Sequence, residues 1–163
     1  MNVTPGISEI LEIAKDMESN GARFYRQAAE NASNNQIKQA LLELAAMEDG
    51  HLDIFEQMKK EFARQKKGHN LLVHNNEAAA YLQTITDGSA SAHIKNPIEG
   101  LTGNETMKEI LELAIETEKN SLLFYIGLKE LVPNTANKDQ IETIIKEELS
   151  HVVALNLNLT LLG

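Results

Sequence analysis

The chain has 163 residues, a net charge of −9 and no cysteine. That length suits one domain with a sizeable core, and the missing cysteines exclude disulfides, thiolate zinc sites, iron–sulfur clusters and cysteine nucleophiles. The acid excess and the scattered lysines and arginines argue against nucleic-acid binding, no apolar run is long enough to cross a bilayer, and Met1-Asn2-Val3-Thr4-Pro5 does not open a secretory signal. The expectation is a cytoplasmic protein with no nucleic-acid or membrane partner.

Thr4-Pro5-Gly6 reads as a helix start, with Thr4 as N-cap and Pro5 at the first helical position. Apolar residues then recur at Ile7, Ile10, Leu11, Ala14, Met17, Gly21, Phe24, Tyr25 and Ala28, a 3.6-residue stripe that contains Glu18. Ser33 to Gln36 reads as a capping box opening a second helix. Its stripe runs Ile37, Leu41, Leu44, Ala45, Glu48, His51, Leu52, Phe55, Met58 and Phe62. Arg64, Lys66 and Lys67 before Gly68 suit its C-terminus, where the macrodipole is negative. The short connection predicts an antiparallel hairpin over residues 5–67.

Residues 68–103 form the long connection, with a short helix expected from Glu77 to Ile85 and solvated histidines at His69, His74 and His93. Such a crossover lets a third helix run parallel to the second. The second hairpin, 104–162, opens near Thr102 or Thr106, the latter pairing with Glu109 as a capping box. Its third-helix stripe is Met107, Ile110, Leu111, Ala114, Glu118, Ser121, Leu122, Tyr125 and Leu128, ended by Val132-Pro133. Asn137 to Gln140 is expected to cap the fourth helix, striped by Ile141, Ile144, Ile145, Glu148, His151, Val152, Leu155, Leu159 and Leu162. The fold expected is all-α: a single four-helix bundle domain over 1–163.

The halves repeat. A shift of one hundred residues places Glu9-Ile10-Leu11-Glu12 on Glu109-Ile110-Leu111-Glu112, Glu18 on Glu118, Phe24-Tyr25 on Phe124-Tyr125, Glu48 on Glu148 and His51 on His151. Glu and His three apart on a helix are separated by about 60° and roughly 4.5 Å of rise, so both reach one metal ion. Two such pairs plus one Glu from each of two other helices make a di-metal carboxylate site. Inward glutamates need a counter-charge, because burying an unpaired carboxylate is very costly. Two divalent ions at +4 balance four carboxylates at −4, and carboxylate with imidazole suits iron or manganese. The candidate ligands are Glu18, Glu48, His51, Glu118, Glu148 and His151. Small residues at Gly21, Ser121, Gly50 and Ser150 are expected to leave room for metal, water and substrate.

A lone Glu on a helix is ordinarily a solvated charge; the repeated set overrides that reading here. Tyr25 and Tyr125, core aromatics first, each lie two turns past a candidate ligand, and a buried phenol wants a hydrogen-bond partner. A ligand carboxylate is a candidate, and such bonds tune metals. Glu147, an ordinary helix charge otherwise, is placed to accept from the outer nitrogen of a ligand histidine; its counterpart is Met47. The basic residues from Lys59 to Lys67 read as a helix-end charge set.

Glu18-x-x-Gly21-x-x-Phe24-Tyr25, Glu48-x-x-His51, Glu118-x-x-Ser121-x-x-Phe124-Tyr125 and Glu148-x-x-His151 resemble the rubrerythrin branch of the ferritin-like superfamily. The resemblance implies a left-handed ferritin-like bundle holding two iron ions, with manganese or a mixed pair as the alternative. By it Glu18 and Glu118 are terminal ligands, Glu48 and Glu148 bridge, and His51 and His151 bind one metal each. It implies reaction with hydrogen peroxide or dioxygen, and a homodimer, with helix swapping permitted by the crossover. Two departures qualify it. Rubrerythrins carry a four-cysteine rubredoxin domain, absent here, so an external electron-transfer protein is expected. They also carry an extra glutamate where this chain has Ser121, which favours a symmetric site closer to ferritins. The alternatives are a ferroxidase or iron-storage protein, and a bundle that merely binds metal.

Overall fold

The computed structural model describes residues 6–65, 76–87 and 96–163. The helices are α1 (Ile7–Glu30), α2 (Asn35–Gln65), α3 (Asn76–Asp87), α4 (Met107–Leu131) and α5 (Thr135–Leu161), with a 3-10 turn at Pro97–Gly100.

Helix starts follow the local polar chemistry, in places shifted from expectation. Thr4 and Pro5 lie outside the described residues. Gly6 is the N-cap of α1, and its N–H donates to the Glu9 carboxylate at 3.0 Å. Asn34, not Ser33, caps α2: its Oδ1 accepts from the N–H groups of Gln36 and Ile37 at 2.8 and 3.1 Å. Thr106 and Glu109 form the expected reciprocal box, with Thr106 N–H to Glu109 at 2.7 Å and Glu109 N–H to Thr106 Oγ1 at 3.2 Å.

Before Pro133, Val132 is extended with ψ 132°, which stops α4. The next residue, Asn134, accepts from Asn137 N–H at 2.7 Å and restarts the helix at once. The α5 cap is therefore three residues earlier than the expected Asn137, which is buried inside the first turn.

The crossover helix is longer than expected by one residue at the start and two at the end. Ala78, Ala79 and Leu82 are buried, and the Tyr81 hydroxyl donates to the Leu123 carbonyl at 2.9 Å. Gly127 lets α3 approach α4: a Cβ there would lie 2.8 Å from both Leu82 Cδ2 and Tyr81 Cδ1. His69, His74, His93, Lys66, Lys67 and Gly68 lie outside the described residues.

Helix α1 packs on α2 and α4 on α5, and the two hairpins meet through α2 against α5 and α1 against α4. The predicted α1 stripe is buried throughout. Elsewhere the stripes hold with local exceptions: Leu52, Met107, Ser121, Leu122, Val152 and Leu159 are half-buried, and Leu162, the C-cap of α5, is 39 % exposed. The core divides in two. One apolar cluster includes Ile10, Leu11, Phe55, Phe62, Phe124 and Ile144. The other includes Phe24, Ile37, Leu41, Leu44, Leu111 and Leu155. Each such side chain contributes about 1.5–3 kcal/mol on full burial. Between the clusters on every long helix falls a polar residue.

Helix α5 is also apolar on its outward side, where Leu149, Val153, Leu157 and Leu161 are exposed. Among the described residues, no helix is long and apolar enough to cross a membrane.

Candidate metal centre

Six ionisable residues occupy the layer between the two apolar clusters, and all are buried: Glu18 from α1, Glu48 and His51 from α2, Glu118 from α4, Glu148 and His151 from α5. The i, i+3 spacing stacks each Glu above its own His on one helix face. Their donor atoms fall into two groups, Glu18–Glu48–His51–Glu148 and Glu48–Glu118–Glu148–His151, each with all its atoms within 4.8 Å of one another. Glu48 and Glu148 belong to both groups, so they lie between the two positions and Glu18 and Glu118 at the ends. The imidazoles stack, centroids 5.7 Å apart and planes at 21°.

Both histidines turn Nδ1 inward. His51 Nδ1 lies 2.9 Å from Glu148 Oε1 and 3.5 Å from Glu18 Oε2. His151 Nδ1 lies 3.2 Å from Glu48, 3.4 Å from Glu148 and 3.6 Å from Glu118. None of these meets hydrogen-bond geometry. Glu18 Oε2, Glu48 Oε1, both oxygens of Glu148 and both Nδ1 atoms are buried without a hydrogen-bond partner. Buried polar atoms are normally paired, so this concentration of orphans needs an outside partner.

The titration behaviour has the same origin. Burial, then the Glu148 charge, pushes Glu18 upward. Burial, then Glu18 and Glu118, pushes Glu48 well up. Burial, then Glu118 and Glu48, raises Glu148 to about 8. Glu118 goes the other way: burial opposes ionisation, but the close approach of Glu148 and His151, the positive charge of His151 and the hydrogen bond from Tyr25 outweigh it. For the histidines burial pushes downward, yet the surrounding carboxylates raise His51 to about 11 and His151 to about 12. The carboxylates thus demand positive charge, and protons on imidazole and carboxyl groups are a partial answer to a demand that divalent ions would meet in full.

Both expected tyrosine contacts form, and they cross between the repeats. Tyr25 donates to Glu118 and Tyr125 donates to Glu18. Burial, then the adjacent carboxylate, keeps both phenols well above their ordinary range, so they remain donors. Glu147 also reaches across: its Oε2 lies 2.7 Å from His51 Nε2, not from the histidine on its own helix. His151 Nε2 is buried with no hydrogen-bond partner. The residues were visible in the sequence; the cross-pairing was not, because a repeat does not say which half faces which.

The small residues divide. Gly21 leaves room for the Glu48 carboxylate: a Cβ there would lie 2.9 Å from Glu48 Oε2. Ser121 is half-buried and donates to the Thr117 carbonyl at 3.2 Å. Gly50 and Ser150 are exposed, and a Cβ on Gly50 would meet nothing within 4 Å. They make no room at the centre, contrary to expectation, because a residue two past an inward Glu lies about 200° around the helix.

The donor set therefore fits two oxygen- and imidazole-loving divalent ions: four carboxylates, two neutralisable histidines and orphaned atoms converging on two positions. The chain is similar to known proteins. The family model described as Rubrerythrin matches residues 9–157. A solved structure from Thermotoga maritima, described as ferritin-like and diiron-carboxylate, is 27% identical with a TM-score of 0.67, over 95% of each chain. No curated protein matches.

Proposed function

The chain belongs to the rubrerythrin family, and from that premise we propose that it is a di-iron carboxylate oxidoreductase. It reduces hydrogen peroxide, or dioxygen, with electrons from a donor outside this chain, which has no cysteine of its own. The observation that carries this reading is the set of buried, partnerless oxygens and Nδ1 atoms converging on two positions.

Glu18 and Glu118 would be terminal ligands, Glu48 and Glu148 would be shared, and His51 and His151 would each bind one ion through Nδ1. When bound, the ions supply the redox chemistry, one electron each, and open coordination positions. Two electrons and two protons convert one hydrogen peroxide to two waters. The chain's own residues hold the donors in place. Tyr25 and Tyr125 each fix one oxygen of a terminal carboxylate, and because they hold their protons they orient rather than deliver. The apolar clusters on either side restrict water to the polar layer.

The test is anaerobic reduction of the iron-loaded protein followed by hydrogen peroxide in a stopped-flow spectrometer. Reoxidation faster than that of free ferrous ion, with two electrons consumed per peroxide, is the expected result; a rate no faster than free ferrous ion overturns it.

A second reading, iron oxidation for handling or storage, draws on one feature. The position one turn past Glu118 is Ser121, whose hydroxyl is engaged by Thr117, so the donor set stays at six and symmetric. Many irons retained per chain in a large assembly would favour this reading; two per chain favours the first.

The exposed face of α5 supports a homodimer. Leu149, Val153, Leu157 and Leu161 follow each other at four-residue intervals, and His151, which is buried, is the only ionisable side chain from Leu149 to Gly163. A stripe without charge can meet its own copy with no like-charge repulsion, which suits an isologous two-fold contact. A second copy of this chain is its proposed occupant.

A further inference from the structure

We infer that the two metal positions are unequal, and that Glu147 makes the His51 position the tighter and the first to fill. This rests on the di-metal reading above. It starts from how alike the positions otherwise are. Each is offered three carboxylates and one inward Nδ1, and the two imidazoles are nearly parallel. Each terminal glutamate is held by one tyrosine from the other repeat.

The difference lies behind the rings. His51 Nε2 is 2.7 Å from Glu147 Oε2. A carboxylate oxygen accepts, so this contact holds a proton on Nε2 and leaves Nδ1, which faces Glu148 and Glu18, as the nitrogen that gives up its proton to an ion. His151 Nε2 is buried and has no such partner. The hundred-residue shift replaces Glu147 by Met47, whose thioether is a weak acceptor. Among the described residues no hydrogen bond then selects the tautomer of His151 or braces its ring. A carboxylate behind a ligand histidine also raises its basicity, and losing one typically costs 10–100-fold in metal affinity. The Glu147 side chain is 42% exposed, so water competes for the bond and the effect belongs toward the lower end of that range. Glu147 is a positioning residue, acting on the metal through His51.

The experiment is titration of the chelator-treated full chain with Co²⁺, followed by absorption and calorimetry, with anomalous diffraction from crystals given one equivalent. Two steps at least 10-fold apart are expected, the first at the His51 position. Glu147→Ala should weaken the first step by about 10-fold or more and leave the second unchanged. Glu147→Gln should restore part of the loss, and Met47→Glu should strengthen the second step. In the Zn²⁺-loaded protein, the His51 Nε2–H proton should resonate downfield of that of His151 and lose this shift in Glu147→Ala, a readout that a merely structural role would not move. Circular dichroism melting verifies that each variant folds. Two equal steps, first occupancy at His151, or a Glu147→Ala that alters neither step would overturn this inference alone. Failure to bind Co²⁺ and iron at all would overturn the di-metal reading with it.

Discussion

The Tyr25 hydroxyl on α1 donates to the Glu118 carboxylate on α4, across the junction between the two repeats. Tyr125 returns the same bond to Glu18. Each tyrosine thus ties its own hairpin to the ligand of the other. Tyr25→Phe keeps the ring and its packing but leaves a buried carboxylate oxygen without its donor. The expected cost is about 1.5–3 kcal/mol, as for hydrogen bonds to charged groups. Urea unfolding of the chelator-treated protein measures it, and a variant as stable as the wild type would show that the bond contributes nothing.

Gly21→Ala separates stability from metal binding. Ala is favoured over Gly inside a helix by about 1 kcal/mol, and the atom its Cβ would meet at 2.9 Å is the far end of the Glu48 side chain, which can move. The metal-free protein should therefore melt no lower than wild type. The displaced Glu48 belongs to both donor groups, so Co²⁺ affinity should fall by about 10-fold or more, on the scale of losing ligand orientation. Unchanged affinity in a calorimetric titration would remove the role given to Gly21.

Glu105 sets an acid limit away from the centre. Its carboxylate accepts from Thr102 N–H at 2.5 Å, Thr102 Oγ1 at 2.7 Å and Gly103 N–H at 3.0 Å. The backbone and hydroxyl bonds from Thr102 bring it down to about 2, against about 4.3 in an unfolded chain. A depressed folded value stabilises above the unfolded value, and that contribution is lost as pH falls from about 4 toward 2. Glu105→Gln should melt below wild type at pH 6 and converge with it near pH 2. A Glu105 titration midpoint near 4 in NMR spectra would contradict this.

Leu157→Glu tests the outer stripe of α5. Leu157 is 62 % exposed, so the substitution leaves the bundle's own packing intact and changes melting by under about 0.5 kcal/mol in a monomer. Light scattering should show the wild type as a dimer and the variant as a monomer. A wild type that is monomeric at the concentrations where the variant is would dismiss the assembly.

Much of this architecture was legible in the residues. The stripe from Ile7 to Ala28 is buried as its period requires, and the Thr106–Glu109 box opens α4 where two reciprocal partners at the right spacing predict it. Helix starts with competing caps were less legible. Ser33 and Asn34 offer similar oxygens, and only the path of the backbone selects Asn34. At α5 the requirement that Val132 be extended before Pro133 moves the restart up to Asn134. In the centre, residue type and helical phase located all six candidate ligands in one layer. What periodicity does not encode is reach between helices. It gave no way to know that Glu147 meets His51 rather than His151, or that the tyrosines exchange glutamates.

The donor groups show what is gained by holding both hairpins in one chain. The first hairpin supplies Glu18, Glu48 and His51 to one position and must borrow Glu148; the second supplies Glu118, Glu148 and His151 and must borrow Glu48. Neither hairpin closes a four-donor position by itself, yet two identical copies face to face would close both. A two-fold pair of single hairpins clasped by two ions would carry the same donor set as this one chain. One chain that carries both hairpins can differ between its halves, and the exchange of a carboxylate for a thioether at position 47 relative to 147 is a change that a symmetric pair, obliged to make every substitution twice, could not carry on one side alone.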